Sequence, residues 1–307
     1  MKILNLFIWC SLLFFLLLPP SPAWAAETRS QEMKELFNLA TQHIQTSNYQ
    51  QARQELTTII DRDQTDTRAY LYRCFAYFQL EDYLESLTDC SEVIKLDPQA
   101  KEAYLHRGLT NYRLGRYPQS LIDYDRLIVI NPQNYRAYYN RGLSKVAMKN
   151  YQGAIADYDQ ALNNIPPEED TKIALVYNDR GLAYFLQGDS TQAKADFNHG
   201  IALNRRDART YFNLACLYNH EGSFQKAIAN FTSSLELDPK QPVAYQSRAI
   251  LYKTTGNLSL ALADLYQAAK SYGDQEQISA YQNTMEMIKA IEQERLDASD
   301  AIAISYF

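Results

Sequence analysis

Apolar and polar positions recur along this chain with a 34-residue period that begins near Met33 and runs to about Gln275, in units 33–66, 67–100, 101–134, 135–168, 174–207, 208–241 and 242–275. Position eight is always small: Ala40, Cys74, Gly108, Gly142, Gly181, Ala215 and Ala249. So is position twenty: Ala52, Ser86, Ser120, Ala154, Ala193, Ala227 and Ala261. Position four is Leu36, then Tyr70, Tyr104, Tyr138, Tyr177, Tyr211 and Tyr245; position 24 is Leu56, Cys90, Tyr124, Tyr158, Phe197, Phe231 and Leu265. Small residues let two helices approach, and large ones fill the space beside the contact. The pattern predicts two helices per unit, with an apolar face that only a stacked neighbour can bury.

Turn chemistry sets the boundaries. Gly115, Gly188, Gly222 and Gly256 recur at position fifteen, where the first helix ends and a positive φ is wanted. Pro98, Pro132, Pro166 and Pro239 recur at position 32, where the second helix must stop. Arg205 and Gln64 stand there in two other units, so those boundaries are expected to be looser or their helices to run on. The period slips once, by the five residues Glu169–Ile173 after Pro166-Pro167-Glu168. Either a longer turn or an extra helical turn accommodates them; a kink or an acidic contact point is the functional alternative.

The run Ala137-Tyr138-Tyr139-Asn140-Arg141-Gly142, with Tyr151, Ala154, Tyr158, Ala161 and Pro166, resembles the tetratricopeptide repeat, as does Lys101–Asn134. The resemblance covers residues 33–275 and implies an all-α, right-handed superhelix (α-solenoid) of seven helix-turn-helix units. A short linker, 26–32, precedes the array. After it, 276–297 reads as a capping helix with Ile278, Tyr281, Met285, Ile288 and Glu292 on one stripe, and 298–307 as a tail.

Position seven is Arg73, Arg107, Arg141, Arg180 and Arg248 in five units, and position 23 of the same five is Asp89, Asp123, Asp157, Asp196 and Asp264. Where position seven is Leu39 or Leu214, position 23 is Glu55 or Asn230. Arginine and aspartate come and go together, which predicts an ion pair between facing helices rather than a basic ladder for phosphate.

The termini and composition add a compartment. Met1-Lys2, an apolar run from Ile3 to Leu18, Pro19-Pro20-Ser21-Pro22 and Ala23-Trp24-Ala25 together read as a signal peptide, 1–25, cut after Ala25. An uncleaved anchor is the alternative. The expected destination is the periplasm or another extracytoplasmic space, with the thylakoid lumen an option for a photosynthetic source. Loss of the leader moves the net charge from −6 to −7, which argues against nucleic acid as a partner. Three cysteines remain, Cys74, Cys90 and Cys216. Cys74 and Cys90 face each other across one unit; a disulfide is sterically conceivable, but a pair of small buried hydrophobes is the favoured reading.

Catalytic chemistry has little to start from. His43, His106, His199 and His220 lie in separate units without ligand spacing, and no nucleophile elbow, phosphate loop or dinucleotide fingerprint occurs. The expectation is a non-enzyme with no cofactor and no metal. In the family, certain first-helix positions line the concave groove, and the resemblance carries that role to Arg68, Leu71, Phe75, Leu105, His106, Leu109, Tyr112, Arg113, Arg136, Tyr139, Asn140, Leu143, Asn178, Leu182, Phe185, Arg209, Phe212 and Asn213. Tyr139, Phe212 and Leu105 are expected to project inward as an exposed apolar surface. The family's carboxylate clamp wants Lys at position five and Asn at position nine, and no unit has either, so chaperone-tail capture is rejected. The resulting expectation is an exported adaptor that binds another protein's apolar or amphipathic segment, with envelope or photosynthetic complex assembly as its setting. A self-assembling envelope element and a sugar-binding protein remain as alternatives.

Overall fold

The computed structural model describes residues 22–304, and side chains from 27 to 297. The expected leader lies outside the described residues up to position 21, as do residues 305–307 of the tail. Fifteen α-helices and no strand are found among the described residues. The chain divides into two compact units, the first ending at Ile130 and the second starting at Asn131.

The first unit holds α1 (Pro22–Gln45), α2 (Tyr49–Arg62), α3 (Thr67–Gln79), α4 (Tyr83–Leu96), α5 (Lys101–Arg113) and α6 (Tyr117–Ile130). The second holds α7 (Tyr135–Ala147), α8 (Tyr151–Asn164), α9 (Asp170–Gln187), α10 (Ser190–Leu203), α11 (Ala208–His220), α12 (Phe224–Leu237), α13 (Pro242–Thr254), α14 (Leu258–Asp274) and α15 (Ile278–Ile304). Within each unit every helix packs on its predecessor, and first helices of successive repeats also touch, α1 on α3 on α5 and α7 on α9 on α11. In each unit these first helices form a wall, and the second helices lie behind it.

The small and large positions meet as the period demands. Tyr124, Tyr158, Phe197 and Phe231 are buried, and a Cβ on Gly108, Gly142 or Gly181 would come within 2.6, 2.7 or 2.8 Å of the ring it faces. Position fifteen adopts positive φ not only at its glycines but also at Ser47, Glu81 and Lys149, so the turn is imposed by the packing even where the residue resists it. The five inserted residues are largely helical: α9 begins at Asp170 and runs for 18 residues against 13 in α3, α5, α7, α11 and α13. Asp66, Asn134, Asn150, Asp189 and Asp207 cap helix N-termini by accepting backbone N–H groups.

Two expectations are corrected. Cys74 and Cys90 are joined by a disulfide, with their Cα atoms 5.5 Å apart, where the smaller-hydrophobe reading was favoured. Facing positions eight and 24 bring two helices close enough that a pair of cysteines there can bond. In the last helix the buried stripe is Thr284, Ile288 and Ile291, with Met285 and Met287 beside it, whereas Ile278 is 67% exposed and Tyr281 is exposed as well. The buried stripe thus begins at Thr284 rather than at Ile278. No helix among the described residues is long and apolar enough to cross a membrane.

Candidate functional site

Behind the wall, each repeat is clipped to itself and to its predecessor. Arg73, Arg107, Arg141, Arg180 and Arg248 grip Asp89, Asp123, Asp157, Asp196 and Asp264 through two guanidinium nitrogens at 2.6 to 3.0 Å. The third nitrogen of four of them reaches the previous repeat. Arg73 donates to Thr57 at 3.1 Å, Arg107 to Ser91 at 3.2 Å and Arg248 to Thr232 at 2.7 Å, and Arg180 pairs with Asp159. The position-four tyrosines lie against these guanidiniums, 5.3 to 5.8 Å from ring centre to Cζ. In the first repeat His43 and Glu55 substitute for the pair, at 2.9 Å. Burial pushes the carboxyls of Asp89 and Asp123 above the usual range even against their arginines. With both charges satisfied, these arginines are fasteners and are not offered to a ligand.

The residues expected to line the groove all sit on first helices, in two sets. In the first unit Arg68 and Arg113 are exposed; Leu71, Phe75, His106, Leu109 and Tyr112 are half-buried; and Leu105 is only 8% exposed. In the second, Arg136 and Arg209 are exposed, while Tyr139, Asn140, Leu143, Leu182, Phe185, Phe212 and Asn213 are half-buried and Asn178 is buried. Leu105 therefore does not project as expected: side-by-side first helices close over position five. What remains in water is a rim of arginine above a partly covered apolar floor.

Three of the second set converge on Asp179, a residue outside the expected set, and a fourth supports one of the three. Asp179 is 8% exposed and accepts hydrogen bonds from the Tyr139 hydroxyl at 2.7 Å and the Asn178 amide at 3.0 Å; Arg209 stands 3.9 Å away. Asn213 donates to Asn178 at 2.8 Å. Burial raises the Asp179 carboxyl above its ordinary value, and Tyr139, Arg209 and Asn178 counteract it. Asn140 bonds to the carbonyl of Arg136 on its own helix. These three asparagine amides are thus occupied within the wall, and Asn38 is the exposed position-six amide.

A cleft opens along the first helices of each unit. One, of about 420 Å³, has Phe212, Pro242 and the half-exposed Val243 at its edge, with Lys240 and Gln275 beside them. The other, of about 920 Å³, lies at the start of the first unit between α1, the end of α2 and the start of α3. Neither assembles an acid–base pair or an activated nucleophile. Burial pushes the Cys216 thiol up to about 11, which leaves it protonated at neutral pH. No metal-ligating group of three or more side chains forms among the described residues.

Sequence models of the tetratricopeptide repeat match residues 76–135 in one case and 135–167, 174–207 and 208–241 in another. The chain belongs to the tetratricopeptide repeat family. Arrays of this family are protein–protein interaction scaffolds. The fold is shared with a tetratricopeptide repeat protein from Parabacteroides merdae ATCC 43184, at 19% identity and TM-score 0.67 over 83% of this chain and 99% of that one. Pseudomonas aeruginosa pilF is similar at 17% identity and TM-score 0.60, over 74% and 99%. The APC/C hetero-tetramer Cut9–Hcn1 contains a chain similar at 15% identity and TM-score 0.61, over 82% of this chain and 52% of that one. No curated protein sequence matches the chain.

Among tetratricopeptide positions, the sequence signal for the backward reach of the arginines was present at position 25, which holds Thr57, Ser91, Asp159 and Thr232, yet it emerges only once the helices are placed. Asp179 stands at position six, where the other units have Asn38, Tyr72, His106, Asn140, Asn213 and Ser247, and a single acid in so mixed a column carries no periodic signal.

Proposed function

We propose that this protein is an exported, non-catalytic scaffold that holds an apolar or amphipathic segment of another protein against its first-helix wall, in the assembly of envelope or photosynthetic complexes. The observation that carries the reading is the surface of the first helices in each unit: arginines in water, Arg68 in the first and Arg136 and Arg209 in the second, over aromatic and aliphatic side chains that the fold leaves half-covered. Arginine and aromatic residues dominate binding hot spots, and a partly covered floor has apolar area left to bury. The Cys74–Cys90 disulfide supports export, because structural disulfides persist in oxidising compartments, and so does the leader-like start of the sequence.

Affinity capture from an extracytoplasmic fraction tests the reading, with the intact chain beside a variant carrying Arg209→Glu and Val243→Glu. Both side chains are exposed, and because Arg209 stands beside the buried Asp179, the pair Arg209→Gln with Val243→Glu and a helicity measurement separate lost binding from lost folding. A partner retained by the intact chain and lost by the variant is expected. Equal recovery by both would remove the second unit's wall from the binding surface.

A further inference from the structure

The 920 Å³ cleft at the start of the first unit concentrates positive charge in a chain whose net charge is −6. Its floor is Met33 and Phe37, and Arg29, Lys34, Arg62 and Arg68 stand around it. Two of these cations are already neutralised: Arg62 pairs with Glu32 at 3.1 Å, and Arg68 pairs with Asp66 at 3.1 Å while its guanidinium lies 4.8 Å from the Phe37 ring centre. Arg29 instead donates to the main-chain carbonyl of Arg62 at 2.9 Å, and its charge acts on the Asp63 carboxylate at the edge of the cleft. Lys34 and Asn38 are exposed and have no hydrogen-bond or ion-pair partner among the described residues. The Asp63 carboxylate at the edge is tied to the Thr65 amide and hydroxyl, at 2.9 and 2.7 Å. The cleft therefore has one more cation than acid, Arg29, Lys34, Arg62 and Arg68 against Glu32, Asp63 and Asp66, with Lys34 and the Asn38 amide unpartnered among the described residues beside two apolar side chains.

We infer that this cleft docks a partner segment in which side-chain carboxylates flank an apolar residue. The inference rests on the scaffold reading and assigns the chemistry of the segment that enters at this end. The carboxylates meet Arg29 and Lys34, the apolar side chain settles on Met33 and Phe37, and Asn38 hydrogen-bonds the segment's backbone. Position five is Phe37 and position nine is Thr41, so the cleft has no clamp for a chain terminus and reads side chains within the segment.

Fluorescence anisotropy with a labelled, C-terminally amidated peptide of sequence Ser-Glu-Glu-Leu-Phe-Glu-Ser, beside the same peptide with Gln for Glu, tests this on the oxidised protein. Binding about tenfold tighter for the Glu peptide is expected, weakening between about 50 and 200 mM salt. The surface variant Lys34→Glu with Arg29→Glu should lose about tenfold in affinity with unchanged helicity. Equal affinity for both peptides, no binding up to about 1 mM, or indifference to the variant overturns the inference. So does sedimentation showing self-association that the variant abolishes, which would make a second copy the occupant. If the captured partner is lost with Arg209→Glu and Val243→Glu but kept with Lys34→Glu and Arg29→Glu, the cleft inference falls and the scaffold stands. If no partner is captured by any form, both fall.

Discussion

In the unit ending at Ile130, the second repeat joins its two helices through Cys74 and Cys90, while in the unit starting at Asn131 the fourth repeat lays the Tyr158 ring over bare Gly142 at the same pair of positions. The backbone geometry is shared and the chemistry of closure is not. The units also differ on their walls. The second is knitted by the Tyr139, Asn178, Asp179 and Asn213 network, and the first leaves Lys34 and Asn38 unused beside a cleft. A repeat thus specifies how close two helices must come, and leaves open whether a bond, a ring or a hydrogen bond holds them there.

Four changes would break or sharpen that comparison. The largest effect is expected from Arg107→Met, which strands Asp123 in the interior with only Asn111 to stabilise it; removal of one partner of a buried pair costs about 3 to 5 kcal/mol, read by urea unfolding. Reduction of the disulfide, or Cys74→Ala with Cys90→Ala, should cost about 3 kcal/mol, since the bridge closes a loop of 16 residues. The exchange Cys74→Gly with Cys90→Tyr, which installs the fourth repeat's contact, should leave stability indifferent to reductant; continued sensitivity would mean the two closures are not equivalent. Gly142→Ala drives a methyl into the Tyr158 ring and should cost about 1 to 2 kcal/mol after the gain in helix propensity.

The smallest effect concerns pH. Asp179 starts near 3.9 when unfolded and is raised in the folded chain, so the folded state holds its proton more tightly. Its contribution is then most favourable below the unfolded value and is lost as pH rises through the folded one. Asp179→Asn should flatten that part of the stability profile measured by urea unfolding from pH 4 upward. A profile unchanged by the substitution would show that Tyr139 and Arg209 fully offset the burial.

The fold was legible because its period is enforced by contact distance: a residue larger than glycine at 108 or 142 would strike the facing ring, and such constraints repeat in the sequence. The arginine–aspartate pairs were legible for the same reason, since each needs its partner. What escaped was chemistry that occurs once. Cys74 and Cys90 look like any small and medium apolar pair until the Cα distance is known. Asp179 sits next to Asn178 at a point where helical spacing turns both inward, so the register could nominate the neighbour and miss the acid. The cleft on Met33 and Phe37 depends on α1 continuing toward its N-terminus beyond the repeat, and the 34-residue period has nothing to say there.

The arginine that reaches back to a hydroxyl or carboxylate of the preceding repeat makes its seam directional. Thr57 waits for Arg73, Ser91 for Arg107, Asp159 for Arg180 and Thr232 for Arg248. The second repeat carries both halves, Arg73 as a plug at its leading end and Ser91 as a socket at its trailing end, so that repeat copied in tandem arrives with both halves of a new joint already matched. An array built on that grammar can lengthen or shorten by complete repeats without a seam having to be reinvented, whereas a cut made inside a repeat leaves a plug facing no socket.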